Sequence, residues 1–346
     1  MKERILEIKD LYFSFDTYAG EVQAVRGVSL YVNRGETLAI VGESGCGKSV
    51  TCQSVMKLIP TPPGRYKSGD IYYCGENITN YSEKQMQKLR GREMSMIFQD
   101  PMTSLNPTMR IGRQIEEGIL KHEKISRTEA KQRAVQMLRK VGIPDPEKSC
   151  RRYPHEFSGG MRQRVMIAMA LVCNPKILFA DEPTTALDVT TQAQILELIN
   201  GLKKELGTSV VIITHDLGVV ARTAERIAVM YAGKVVETGF ARDIFYNPMH
   251  PYTSGLLESM PSGNGNGKTL TSIPGSPPDL FAPPEGCAFA PRCRYCMKIC
   301  TEMQPEITDL GNGRSVSCWL MHPKAPKYKL PGRKRKLDTP DLKEDL

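Results

Sequence analysis

The segment Gly42-Glu43-Ser44-Gly45-Cys46-Gly47-Lys48-Ser49 has the spacing G-x-x-x-x-G-K-[ST]. Glycines so placed let the backbone turn tightly around an anion with its N–H groups pointing inward. A helix starting here adds partial positive charge at its N-terminus. Lys48 can reach the β- and γ-phosphates of a nucleotide, and the Ser49 hydroxyl can hold Mg²⁺. The expected phosphate-binding set is Gly42, Ser44, Gly45, Cys46, Gly47, Lys48, Ser49 and Val50.

Further along stands the acidic pair Asp181-Glu182. A carboxylate at a strand's C-terminal end, beside a phosphate cradle, can hold Mg²⁺ through its water shell. That role falls to Asp181. Glu182 is then placed to deprotonate the attacking water. His215 follows another apolar run, where an imidazole can sense a γ-phosphate; the bland alternative is a structural hydrogen-bonding group. Gln99 follows Met96-Ile97-Phe98 and would alone read as a surface amide. Its place in the order of motifs makes it a third polar switch and, with Ser49 and Asp181, a candidate Mg²⁺ ligand.

These residues need rigid supports. Thr37 to Val41, Lys176 to Ala180 and Ser209 to Thr214 are almost wholly apolar, as strands buried on both faces should be. Val50 to Leu58 and Met161 to Val172 read as helices. Such alternation predicts an α/β domain with a mostly parallel sheet. Residues 100–165 look more helical. There Ser126 and Glu129 form a capping box, and Ala134, Val135, Leu138 and Val141 share one face.

Ser158-Gly159-Gly160 opens the Met161 helix, and small residues at a helix N-terminus suit a phosphate. A chain that already has one cradle uses a second if it serves a nucleotide on another subunit. That order of motifs resembles the ATP-binding-cassette ATPases over about residues 1–260. Phe157 to Met161 looks like the family's signature segment, Thr185 to Asp188 like the loop after its acidic pair, Gln99 like its Q-loop and His215 like its switch histidine. Met161 replaces the usual Gln. The Met variant, together with Gln99-Asp100-Pro101-Met102-Thr103-Ser104-Leu105-Asn106-Pro107, resembles the oligopeptide/dipeptide importer branch.

The resemblance implies two cassettes closing head to tail over two ATP molecules. Each site takes its cradle, Glu182 and His215 from one chain and Ser158, Gly159 and Gly160 from the other. It also implies a second, related ATPase as partner, two transmembrane permease subunits reached through the helical subdomain, and an extracytoplasmic peptide-binding protein acting indirectly. An aromatic residue upstream of the cradle is expected to stack on adenine. Phe15 fits by position, and Tyr18 is the alternative.

The chain has 346 residues, 40% of them hydrophobic, enough for one large domain with an appendage. No apolar run reaches the ~18 residues of a membrane-spanning helix, and the start reads as lacking a secretory signal. The expectation is a chain at the cytoplasmic face of the membrane, held there by partners. The formal charge of +9 includes Arg333-Lys334-Arg335-Lys336, whose acidic followers make it a solvated tail rather than a nucleic-acid or lipid contact. The expected division is a cassette at 1–260, a Pro/Gly-rich linker at 261–284, a Cys-rich module at 285–330 and a charged tail at 331–346.

Five of ten cysteines fall at Cys287, Cys293, Cys296, Cys300 and Cys318. In a reducing compartment they favour metal over disulfides. Resemblance to the peptide-importer ATPases selects Cys287, Cys293, Cys300 and Cys318 and favours a [4Fe–4S] cluster over zinc, with Cys296 extra, although Cys293 and Cys296 also have the spacing of a ligand pair. Cys46 is expected either to be a tolerated small residue or to have a thiol pKa lowered by the helix N-terminus and Lys48, and so to react readily. The competing functions are transport of nickel or another small solute, an ATPase acting on nucleic acid, and a redox protein driven by ATP.

Overall fold

The computed structural model describes residues 3–185, 187–260 and 272–332. The chain divides into two compact units. One comprises Met1–Leu6, Val32–Thr37 and Tyr73–Ile213; the other comprises Glu7–Tyr31, Leu38–Tyr72 and Thr214–Leu346.

The first unit is built on three parallel strands, Met94–Ile97, Ile177–Asp181 and Ser209–Thr214. Met94 lies opposite Ile177, and Ile177 opposite Ser209. Every residue of these strands is buried, which is why they read as unbroken apolar runs rather than alternating ones. The helix Val189–Leu206 starts at Asp188, whose carboxylate accepts the Thr191 N–H, and stops at Gly207 in the left-handed conformation. Ile195, Leu196, Ile199 and Leu202 form its buried stripe.

Residues 100–165 carry the helices Pro101–Ser104, Ile111–His122, Arg127–Lys140 and Pro146–Ser149 and the start of Gly159–Leu171. Ile111–His122 buries Ile111, Ile115 and Ile119, spaced four apart. Arg127–Lys140 is capped by Ser126, which accepts the Glu129 N–H. Ala130, Ala134, Met137 and Leu138 line its buried face, whereas Val135, expected on that face, is only half-buried. Each fully buried Ile or Leu contributes about 1.5–3 kcal/mol through removal of apolar area from water. The buried Gln114 accepts the Asn106 N–H and donates to the Asn106 and Met109 carbonyls, fixing the segment that follows Gln99.

In the second unit Thr37–Val41 runs parallel to Arg226–Tyr231, with Leu38 opposite Arg226. Lys234–Phe240 turns back antiparallel. Arg314–Val316 and Thr308–Gly311 then extend this sheet, with Glu237 opposite Val316. The Cys-rich segment therefore adds two strands to this sheet. Glu237 anchors them: its buried carboxylate accepts the Met249 and His250 N–H groups and faces Arg314 at 3.3 Å. Gly20–Asn33, Arg4–Thr17, Gly64–Tyr73 and Glu76–Asn77 form another sheet in that order.

Among the described residues no helix is long and apolar enough to cross a membrane. Pro261, Gly263, Gly265 and Gly267 of the linker, Ala186, and the Arg333 to Lys336 run lie outside the described residues.

Candidate functional site

The phosphate loop joins the buried strand Thr37–Val41 to the helix Lys48–Val55, which begins two residues earlier than its sequence suggests. Gly42 and Gly47 have φ of +155° and +94°. A Cβ on Gly47 would stand 2.3 Å from the Ala24 carbonyl oxygen, and one on Gly42 would stand 2.2 Å from that of Met230. Only glycine allows this turn to pack so closely on the strands behind it. Ser44 and Gly45 form an exposed rim, and Ser49 and Val50 are half-buried at the helix start. Lys48 is 6% exposed, and its Nζ donates to the Gly42 and Glu43 carbonyls at 2.8 Å. A left-handed glycine turn, a helix N-terminus and one ammonium in the same loop fit a triphosphate.

Cys46 departs from the reactive alternative. It is 4% exposed, and burial pushes its thiol pKa up despite Lys48 Nζ lying 3.8 Å from Sγ. Desolvation of a thiolate outweighs the neighbouring charge here. Its Sγ fills the space that a Cβ on Gly42 would enter, at 2.9 Å.

Asp181 ends its strand 3% exposed. Glu182 follows with φ +44°, an uncommon conformation for a side chain of this size. Its N–H donates to the Ile213 carbonyl at 2.9 Å. Its Oε2 accepts from Gln99 Nε2 and from Thr185 Oγ1, each at 2.9 Å. Gln99 and Glu182, separated by 83 residues in sequence, are thus brought into direct contact. Gln192 Nε2 donates to the Thr184 and Leu187 carbonyls and holds the loop beyond. The Asp181 carboxylate and Gln99 side-chain amide oxygen of the first unit, and the Ser49 hydroxyl of the second, are each oxygen donors of the kind a hard cation such as Mg²⁺ takes.

Ser158 caps the helix Gly159–Leu171, and its hydroxyl accepts the Met161 N–H at 3.4 Å. Replacement of the usual Gln by Met161 leaves that backbone arrangement intact. A Cβ on Gly160 would meet Thr191 Cγ2 at 2.9 Å, so glycine permits the close approach of the helix that Asp188 caps. His215 is exposed between the buried strand Ser209–Thr214 and the helix Leu217–Thr223, whose cap is Asp216. Phe15 is half-buried, its ring edge-on to Phe13 at 5.4 Å, whereas Tyr18 stands fully exposed in the turn after Thr17.

Cys287, Cys293, Cys300 and Cys318 line one cavity with Phe289 and Trp319. Cys296 is exposed and is absent from that lining. The Cys287 N–H donates to the Cys300 carbonyl at 2.7 Å, joining two corners. Backbone N–H groups of Phe289 and Ala290 address Cys287, that of Tyr295 addresses Cys293, and that of Leu320 addresses Cys318. Burial pushes the Cys293 thiol up to about 11 and the Cys318 thiol up to about 12, and the neighbouring thiols act in the same direction. Amides aimed at sulfur fit thiolates that ligate metal. Among the described residues, however, no group of three or more His, Cys, Asp or Glu has the spacing to hold a metal ion.

Sequence reasoning missed two contacts to the phosphate loop. The Glu43 N–H donates to the Tyr252 hydroxyl at 2.9 Å, and Glu43 Oε2 accepts from Arg292 Nη1 at 2.8 Å. Glu43 and Arg292 are 249 residues apart, and no local pattern links them.

The ABC transporter family model matches residues 25–185, and the model for the C-terminal region of oligopeptide/dipeptide transporters matches residues 236–300. The oligopeptide transport ATP-binding protein OppD of Bacillus subtilis (strain 168) is 61% identical over 329 residues, covering 95% of this chain and 92% of that protein. The dipeptide transport ATP-binding protein DppD of the same organism is 54% identical, covering 95% and 98%. OppD of Escherichia coli (strain K12) is 50% identical, covering 92% and 93%. Among solved structures, a dimeric post-hydrolysis state of the ATP-binding cassette MJ0796 bound to ADP and Pi aligns with a TM-score of 0.62 and 29% identity, over 68% of this chain and 99% of that chain.

Proposed function

The chain belongs to the oligopeptide and dipeptide transport ATP-binding proteins of the ABC transporter family, and on that premise we propose that it is the ATP-hydrolysing, energy-coupling subunit of a peptide importer. The observation that carries this reading is the breadth of the likeness. It runs through the cassette and into the C-terminal region at 236–300.

ATP lies with its phosphates over Gly42 to Val50, where the loop N–H groups and Lys48 neutralise charge on the transferring group. Ser49, Asp181 and Gln99 would hold Mg²⁺, which would neutralise charge on the phosphates. Glu182, aimed by Gln99 and Thr185, takes a proton from the attacking water. The new bond forms at the γ-phosphorus, the bond to the bridging oxygen breaks, and ADP and phosphate leave. His215 contacts the γ-phosphate. Ser158, Gly159 and Gly160 serve the nucleotide of the facing cassette, so the working unit is a head-to-tail pair with a second, related ATPase. A stacking platform needs an open ring face. The full exposure of Tyr18 supports it over Phe15 as the adenine contact.

The pair drives two transmembrane permease subunits from the cytoplasmic face of the membrane, with 100–165 as the docking subdomain of the cassette at 1–260. An extracytoplasmic peptide-binding protein delivers cargo without touching this chain, and nucleic acid has no part. The segment 285–330 is a metal module in which Cys287, Cys293, Cys300 and Cys318 would hold a [4Fe–4S] cluster, joined through 261–284 and followed by a charged tail at 331–346. Four thiols lining one cavity, with backbone N–H groups aimed at Cys287, Cys293 and Cys318, support that reading.

The test is ATP-dependent uptake of a labelled tripeptide by vesicles carrying the assembled transporter. Peptide uptake that fails with Lys48→Ala supports the reading. Uptake of nickel but not peptide contradicts it.

A further inference from the structure

We propose that Arg292, in the C-terminal extension, is a positioning residue for ATP that acts through Glu43 of the phosphate loop. Its side chain is 6% exposed and that of Glu43 25%. All three guanidinium nitrogens are engaged. Nη1 donates to Glu43 Oε2 at 2.8 Å and to the Tyr231 hydroxyl at 3.2 Å, Nε donates to the Pro274 carbonyl at 2.8 Å, and Nη2 donates to the Ile273 carbonyl at 3.4 Å. The planar fork is therefore held from two sides before it meets the carboxylate. An aromatic layer backs it. Tyr231, Tyr252 and Phe289 stand with ring centroids 4.6 to 5.3 Å apart, and Tyr252 also accepts the Glu43 N–H. Both the backbone and the side chain of Glu43 are thus fixed by residues outside the loop.

Two physical effects follow. The ion pair orders the first turn of the loop, whose Gly42 and Glu43 carbonyls in turn hold Lys48. The guanidinium also neutralises a carboxylate beside the place where phosphates bind. A half-buried carboxylate left unpaired there opposes a polyanion in a region of low dielectric. Nucleotide affinity is consequently set in part by the extension.

This inference rests on the reading that Gly42 to Val50 bind the phosphates of ATP. The experiment measures MgATP affinity of the full-length chain by equilibrium binding, and KM and kcat in the assembled transporter. Arg292→Ala is expected to weaken affinity and raise KM by about tenfold, with kcat within about twofold. Arg292→Lys, which keeps a charge without the fork, should lose about threefold. Adding Glu43→Gln to Arg292→Ala removes the unpaired carboxylate and should restore affinity to within about threefold of the parent. A purely structural role for Arg292 predicts no such rescue. Unchanged affinity in Arg292→Ala, or in Arg292→Lys should the alanine variant fail to fold, overturns the proposal, as does a double variant weaker than Arg292→Ala. Lys48→Ala separates the two readings: if it still binds ATP the phosphate-loop assignment fails, whereas if only the Arg292 variants bind normally this inference alone fails.

Discussion

Gln99 Nε2 donates to Glu182 Oε2 at 2.9 Å, on the same oxygen that accepts Thr185 Oγ1. The contact joins the second residue after the strand Met94–Ile97 to the residue directly after the strand Ile177–Asp181. Because those strands are adjacent and parallel, their C-terminal ends fall side by side. Gln99→Ala removes a group that aims the carboxylate. It should lower phosphate release at saturating MgATP by about tenfold. Gln99→Glu sets a like charge against Glu182 and should be slower still. A Gln99→Glu protein faster than Gln99→Ala would contradict this geometry.

The loop glycines differ in what surrounds them. Gly47→Ala drives a Cβ to 2.3 Å from the Ala24 carbonyl, so it should destabilise the fold by more than about 2 kcal/mol. Gly45→Ala meets nothing within 4 Å and costs only the left-handed conformation, about 1–2 kcal/mol. Thermal or denaturant midpoints of the two proteins test the order.

Cys46 should be among the slowest cysteines to alkylate in the folded chain. Burial keeps its thiol protonated and covered, whereas Cys74 and Cys296 are exposed. Timed labelling with iodoacetamide at neutral pH, read by peptide mass, checks this. Labelling of Cys46 ahead of Cys74 would restore the reactive-thiol alternative.

Much of the site is legible in sequence because each motif is local. Buried parallel strands leave unbroken apolar runs, and the residue after such a run marks the catalytic edge of the sheet. The strands Thr37–Val41 and Ser209–Thr214 have the bounds their sequences suggest. Cys46 is different: burial raises its thiol pKa, and its neighbour Lys48, which pulls the other way, does not reveal that burial. The anchoring of the extension is equally non-local. Arg314–Val316 joins the cassette sheet through Glu237, and Arg292 joins the loop through Glu43. An arginine between Pro291 and Cys293 carries no mark of a partner so far away in sequence.

The cysteines give a further test. Protein purified without oxygen should contain about four irons per chain and a broad visible absorbance. Cys287→Ser, Cys293→Ser, Cys300→Ser or Cys318→Ser should each lose much of the iron, and Cys296→Ser should keep it. Loss of iron on changing Cys296, with retention on changing Cys293, would reassign the ligand set.

The central claim is that Glu182 is the base that lets this chain spend ATP on transport. Its most direct test is a single comparison of the parent and Glu182→Gln in the assembled transporter, measuring bound ATP and released phosphate together. The account predicts retained ATP binding with hydrolysis lowered by at least about 100-fold, because the amide keeps the shape and loses the base. Hydrolysis by Glu182→Gln at a rate near that of the parent would contradict it.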